Sequence, residues 1–291
     1  MIVVFSLDEY FAKIYESLKK KSLGVSLLIT ESPKKTGRGQ KVQENPAHKF
    51  ALDHSIDVLF PQKLDECFQQ DLLKIIDQKH IKLALVFAYG KIIPDLILRL
   101  FKGRIINIHP SLLPKYRGAT PIQTAVLNSE TKTGFSIIQV SSKVDAGPIY
   151  FQKEIKIGKN DHYTDLKDKI LSQCLEILPD IINKILTNQL SPIPQDPSLA
   201  TNCQKFSKFD GEIKSTDNKL SCLNKIRAFN KWPVAYFLIE NRRILIHRAH
   251  IEGNLIKIDE IQMEGKKKIK FDDFKNGHSH LLTKFPDYVK I

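Results

Sequence analysis

Two kinds of apolar pattern alternate through residues 1–188. Short runs such as "IVVF" (2–5), "GVSLLIT" (24–30), "IKLALVFAYG" (81–90) and "RIINIHP" (104–110) are apolar at nearly every position. Between them lie stretches whose apolar residues recur three and four apart: "LDEYFAKIYESLKKK", "DLLKIIDQKH" and "KIIPDLILRLF". The first spacing predicts strands buried on both faces and the second amphipathic helices. Their alternation predicts a mainly parallel sheet with helices on its faces. "GFSIIQVSS" and "GPIYFQKEIKI" predict a hairpin-like pair near the sheet edge, and "DLKDKILSQCLEILPDIINKIL" a closing helix.

"TNQLSPIPQDPSLATNCQ" breaks this order with three prolines and a polar tone, which reads as a linker. Beyond it, "KLSCLNKIRAFNKW" predicts a short helix. "AYFLIE", "RILIHRAHI", "LIKIDEI" and "KKIKFDDF" predict brief strands, with turns at Glu240-Asn241 and Gly253-Asn254. Short strands at this spacing suggest a small β-barrel or sandwich. The expected domains are 1–188, a linker over 189–204, and 205–291.

With 291 residues and 42% hydrophobic content, the chain can bury a full core. No apolar run approaches the ~20 residues of a membrane span, and "MIVVFSLDEYF" reads as a first core strand rather than a signal peptide. Cys67, Cys174, Cys203 and Cys222 are scattered, which favours free thiols in a reducing compartment and no zinc site. The net charge of +13 favours a polyanionic partner such as nucleic acid, although a Lys-, Ile- and Asn-rich composition alone could produce it.

Candidate chemistry begins in "RIINIHPSLLPKYRG", 104–118. Asn107 and His109 are two apart on a strand and so share a face. Pro110 ends the strand, which puts the pair at its carboxyl end, where open parallel sheets form ligand crevices. By itself the stretch reads first as a satisfied core histidine and a turn-capping asparagine. "TGFSIIQVSSKVDAGPIY" then adds Asp145 in a tight Ala-Gly-Pro turn, as a turn former or as a carboxylate orienting an imidazole.

Taken together, Asn-x-His-Pro-Ser-Leu-Leu-Pro, Arg-Gly, Thr-Gly and Asp-x-Gly resemble the folate-dependent formyltransferase family. "YRGATPIQ", "TGRGQKV" and "RAFNKWP" are similar to its branch that formylates initiator methionyl-tRNA. The resemblance implies a Rossmann-like catalytic domain followed by an oligonucleotide-binding-like barrel. It also implies 10-formyltetrahydrofolate as co-substrate, no metal, and a cytoplasmic enzyme expected to be monomeric. The family's catalytic trio falls on Asn107, His109 and Asp145. Its folate pocket falls on Ala88, Tyr89, Gly90, Ser111, Leu112, Gly118, Pro121, Ala146 and Gly147.

Residues 31–46, by composition a solvated loop, match a family insertion that wedges against the acceptor stem. This gives Arg38, with Lys35 and Lys41, a tRNA-binding role. Arg227, Lys231, Arg242, Arg243 and Arg248 are expected to line a basic channel, while Trp232 by itself reads as core. One departure stands out: where the family has Gly-Thr-Pro after the first strand, this chain reads Ser6-Leu7-Asp8-Glu9. Amino-sugar-nucleotide formyltransferases share the trio and a second domain. A tRNA-binding protein without turnover is the alternative of another class.

Overall fold

A computed structural model describes residues 1–36 and 41–290. In chain order the elements are β1 (Ile2–Ser6), α1 (Phe11–Lys19), β2 (Val25–Ile29), β3 (Lys34–Thr36), β4 (Lys41–Gln43), α2 (Pro46–Asp53), β5 (Asp57–Leu59), α3 (Glu66–Gln78), β6 (Leu83–Phe87), α4 (Asp95–Leu100), β7 (Ile105–His109), α5 (Pro121–Leu127), β8 (Lys132–Gln139), β9 (Ile149–Lys156) and α6 (Tyr163–Leu186). The C-terminal part adds α7 (Lys219–Ala228), β10 (Ala235–Ile239), β11 (Arg242–Glu252), β12 (Leu255–Met263), β13 (Ile269–Lys270), α8 (Phe271–Gly277), α9 (Ser279–Leu282) and β14 (Val289–Lys290). They form two compact units. The first holds residues 1–117, 135–153 and 171–200, and the second 118–134, 154–170 and 201–291.

The first unit is organised by a seven-stranded sheet in the order β5-β2-β1-β6-β7-β8-β9. β1 runs parallel to β2 and β6, and β6 parallel to β7. β8 returns antiparallel to β7, pairing His109 with Ser136 and Asn107 with Ile138. The predicted mainly parallel sheet is therefore present, with its antiparallel strands at one edge.

All five β1 residues are buried, so this is a core strand. Val3, Phe5, Leu27, Ala84, Val86 and Ile105 join Leu72 and Ile76 of α3 and Ile97 of α4 in one cluster. Val4, Leu28 and Leu85 alternate with them and are also fully buried, as strands covered on both faces require.

Several features were not predicted. Asn45 caps α2 by accepting from the His48 amide at 3.0 Å, and Pro46 occupies its first turn. Asp65 caps α3 in the same way. β3 and β4 pair antiparallel, so the ends of the basic 31–46 stretch form a ribbon and not a plain loop. The proline-rich segment is also anchored. Ile193 and Ile149 exchange both backbone hydrogen bonds, at 2.7 and 2.8 Å, which seats the segment on the edge strand β9.

In the second unit β10, β11, β12 and β13 pair antiparallel in sequence, and β14 adds parallel to β12. Among the described residues these pairings run as an open path. Glu240 and Asn241 both have positive φ (49° and 59°), the backbone of a type I′ hairpin turn. The predicted strand "KKIKFDDF" is corrected: only Ile269 and Lys270 are extended, and Phe271 opens α8. Phe271 and Phe274, three apart, bury one helix face, and Asp272 and Asp273 favour the positive end of its dipole.

Candidate active site

The three polar side chains anticipated from the motif converge. Asn107 Nδ2 lies 3.4 Å from Asp145 Oδ1. His109 Nδ1 lies 3.4 Å from Asp145 Oδ2, and the two side chains are 4% and 13% exposed. The other ring nitrogen, Nε2, is 2.8 Å from the Tyr116 carbonyl, so it carries a proton and donates. The two imidazole nitrogens thus face two different oxygens, Nδ1 the Asp145 carboxylate and Nε2 the Tyr116 carbonyl. An amide nitrogen has two hydrogens; Asp145 takes one from Asn107, which leaves the second for another acceptor.

The backbone around this cluster is unusual in the same places. Asp145 (φ 50°) and Tyr116 (φ 62°) are left-handed. Such positions cost about 1–3 kcal/mol and persist where neighbours over-determine them. Several neighbours do so for the loop after β7. Ser136 Oγ donates to the Ser111 carbonyl at 2.6 Å and accepts from the Leu113 amide at 3.1 Å. Gln152 Nε2 donates to the Leu113 carbonyl at 2.7 Å and to Ser136 Oγ at 2.9 Å. Ser111 Oγ donates to the Lys115 carbonyl, so its hydroxyl proton is spent within the loop. Ser136 and Gln152 escaped the sequence reading, because a polar residue among strand apolars gives no sign of what it braces.

The predicted folate positions divide. Val86 pairs with Asn107, so residues 88–90 emerge beside the end of β7. Ala88 (φ 48°) and Gly90 (φ 78°) are left-handed and exposed, which presents backbone rather than side chain. The Tyr89 ring turns into the core against Phe5, with centroids 5.3 Å apart. Burial pushes its phenol up to about 12, and its hydroxyl has no partner among the described residues.

Ala146 and Gly147 follow Asp145. A Cβ on Gly147 would stand 1.8 Å from the Gln139 carbonyl, so only glycine allows this approach. Leu112 is half-buried in the loop after β7, while Gly118 (φ 110°) and Pro121 fall in the second unit. The departing turn Ser6-Leu7-Asp8-Glu9 is locally well formed. Asp8 Oδ1 accepts from the Tyr10 amide at 2.9 Å, and a Cβ on Gly90 would lie 4.0 Å from Leu7 Cδ1.

Two family models match the chain: "Formyl transferase" over residues 1–182 and "Formyl transferase, C-terminal domain" over 205–255. The chain belongs to the formyl transferase family. It is 33% identical to a methionyl-tRNA formyltransferase of Sulfurihydrogenibium sp. over 89% of this chain and 85% of the relative. It is 34% identical to that of Pelagibacter ubique over 94% and 95%. A solved methionyl-tRNA formyltransferase from Clostridium thermocellum superposes with a TM-score of 0.61 at 19% identity, covering 90% of this chain and 97% of that one, and so shares the fold. Among the described residues no group of three or more His, Cys, Asp or Glu could hold a metal ion, and no helix is long and apolar enough to cross a membrane.

Within this formyl transferase the residues expected to contact tRNA have different fates. Arg227 is corrected. It is 7% exposed, and its guanidinium donates to the carbonyls of Asp161 (2.9 Å) and Gly158 (2.8 Å) and to Asn224 Oδ1 (3.2 Å). Such an arginine is structural, because all three of its guanidinium nitrogens donate to groups within the second unit. Arg243 is engaged by Glu264, and Arg248 by Asp165 at 2.8 and 3.3 Å. Arg242 and Lys231 are exposed. Trp232 is 54% exposed, against the expectation of core packing. Lys35 and Lys41 lie in the β3–β4 ribbon, and Arg38 falls outside the described residues.

Proposed function

We propose that this chain transfers a formyl group from 10-formyltetrahydrofolate to the α-amino group of initiator methionyl-tRNA. The observation that carries the reading is Asp145 held between Asn107 and His109 at a strand end, in a chain whose relatives at 33–34% identity are named methionyl-tRNA formyltransferases. The residues present fit a folate: the left-handed backbone at Ala88 and Gly90 offers amide and carbonyl groups with little side chain to obstruct a flat ring.

The chemistry needs no enzyme nucleophile. As the amine adds to the formyl carbon, negative charge develops on the formyl oxygen. Asn107 donates its second amide hydrogen to that oxygen, and His109 shares its Nε2–H between it and the Tyr116 carbonyl. Each such donor supplies about 100–1000-fold in rate. Asp145 orients the imidazole through its Nδ1 side and accepts, directly or through water, the proton released by the amine. The bond from the formyl carbon to the folate nitrogen then breaks, and that nitrogen takes a proton as it leaves.

The proposed division is a catalytic domain over 1–188, a connecting segment over 189–204, and a tRNA-binding domain over 205–291. The C-terminal sheet is read as an oligonucleotide-binding-like barrel. Lys35 and Lys41 of the β3–β4 ribbon, with Arg38, Lys231 and Arg242, are read as contacts to the acceptor arm. Arg243 and Arg248 contribute after exchanging carboxylate partners for phosphates. A cytoplasmic monomer fits this work. The test is incubation of pure protein with 10-formyltetrahydrofolate and either charged methionyl-tRNA or a nucleotide-linked amino sugar. Formylation of the tRNA is expected; formylation of the sugar alone would overturn the proposal.

A further inference from the structure

The proline-rich segment does more than connect. At Gln195 it reaches both loops of the candidate site. Gln195 Nε2 donates to the carbonyls of Asp145 at 2.8 Å and Gly147 at 2.7 Å. Its Oε1 accepts from Arg117 Nε at 3.1 Å and from a terminal nitrogen of the same guanidinium at 2.7 Å. One half-buried amide thus ties the loop after β8, which carries Asp145, to the end of the loop after β7, which carries Tyr116 and Arg117.

This tie falls where the backbone needs it. Asp145 sits at φ 50°, a left-handed conformation that costs any non-glycine residue free energy. On the sheet side the loop is held by the close approach of Gly147 to the Gln139 carbonyl. On the other side it is held by the two bonds from Gln195. Without them the Asp145 carbonyl loses a donor beside the very residue whose carboxylate must stay opposite His109. The two-residue antiparallel bridge at Ile193 fixes the height of Gln195 on the sheet edge.

We infer that Gln195 is a positioning residue for the transfer step: its amide donor sets the Asp145 carboxylate against His109, and its carbonyl anchors that setting to Arg117. The inference rests on the proposed function for its kinetic consequence but not for its structural one. The clamp also makes the geometry of the catalytic loop depend on the seating of the segment that leads into the C-terminal domain.

Two variants separate the halves of the clamp. Gln195→Ala removes both. Gln195→Glu keeps an acceptor for Arg117 and replaces the amide donor with a carboxylate facing two carbonyls. Both are expected to lower kcat by about 100-fold, the cost of a misplaced catalytic group. KM for folate and for tRNA should stay near wild type, and the pH profile of kcat should change shape. Amide exchange followed by mass spectrometry should accelerate in 141–148 in both variants while the β10–β12 strands keep wild-type protection. Wild-type kcat, pH profile and loop exchange in Gln195→Ala would overturn the inference, as would a Gln195→Glu that matches wild type. Failure of the wild-type protein to formylate methionyl-tRNA would overturn the proposed function instead; the exchange measurement would still decide the clamp.

Discussion

Replacing Asn107 with alanine separates folding from catalysis. The contact it makes, Nδ2 to Asp145 Oδ1 at 3.4 Å, is at the long end of hydrogen bonding. Such a bond contributes about 1 kcal/mol or less to stability. The backbone of residue 107 stays paired with Val86 on one side and Ile138 on the other, and alanine keeps those pairings. Urea unfolding of Asn107→Ala should therefore shift by no more than about 1 kcal/mol. The transfer step should lose far more, because the second amide hydrogen is one of two donors to the developing oxyanion. Removal of one such donor costs about 2.7–4 kcal/mol of barrier, or 100–1000-fold in kcat. Asn107→Asp should be worse, since it sets a second carboxylate against Asp145 where the amide now donates. The assay is steady-state formylation at saturating folate and methionyl-tRNA, beside the unfolding curve. A kcat within a few-fold of wild type, or a loss carried wholly by KM, would refute the oxyanion role.

Arg227→Ala should lower unfolding stability by about 3 kcal/mol in a urea titration, since it strands partly buried carbonyls that now accept from a charged donor; an unchanged midpoint with selectively weaker tRNA binding would restore the contact role. Stability should fall as pH drops through the usual histidine range because of His162, whose pKa burial lowers. Its Nδ1–H donates to the Asn160 carbonyl and its Nε2 accepts from the Ala249 amide, so the folded state holds it neutral while the unfolded chain takes up the proton. Stability is therefore present above the unfolded pKa and lost below it; His162→Gln should flatten that slope between about pH 7 and pH 5, measured by unfolding at each pH. Gly147→Ala should sharply reduce activity and accelerate amide exchange in 141–148, because its Cβ cannot occupy the space of the Gln139 carbonyl; wild-type kinetics would contradict that packing.

The central strands were legible because burial on both faces leaves an unbroken apolar run, as in β1 and β6. The placement of Asn107 and His109 was legible because a strand's alternation and a following proline fix both face and end. Asp145 was visible as an acidic residue in a turn, but its approach to His109 follows from a chain reversal that no local spacing encodes. Residues 271–274 were misread because two phenylalanines three apart fit a helix face as readily as a short strand. Arg227 was misread because an arginine on a helix looks the same in sequence whether its guanidinium meets phosphates or the carbonyls of Gly158 and Asp161. Gln195 was overlooked for a related reason: a polar residue among prolines reads as solvent-facing until its partners, fifty and seventy-eight positions away, are seen.

The most direct test of the account is the single-turnover rate of formyl transfer with folate and methionyl-tRNA already bound, in wild type and in His109→Ala. The account predicts a rate lower by about 100-fold or more in the variant, with tRNA affinity near wild type, because the lost N–H acts on the reacting carbonyl and not on the tRNA. A variant that transfers formyl at the wild-type rate would contradict it.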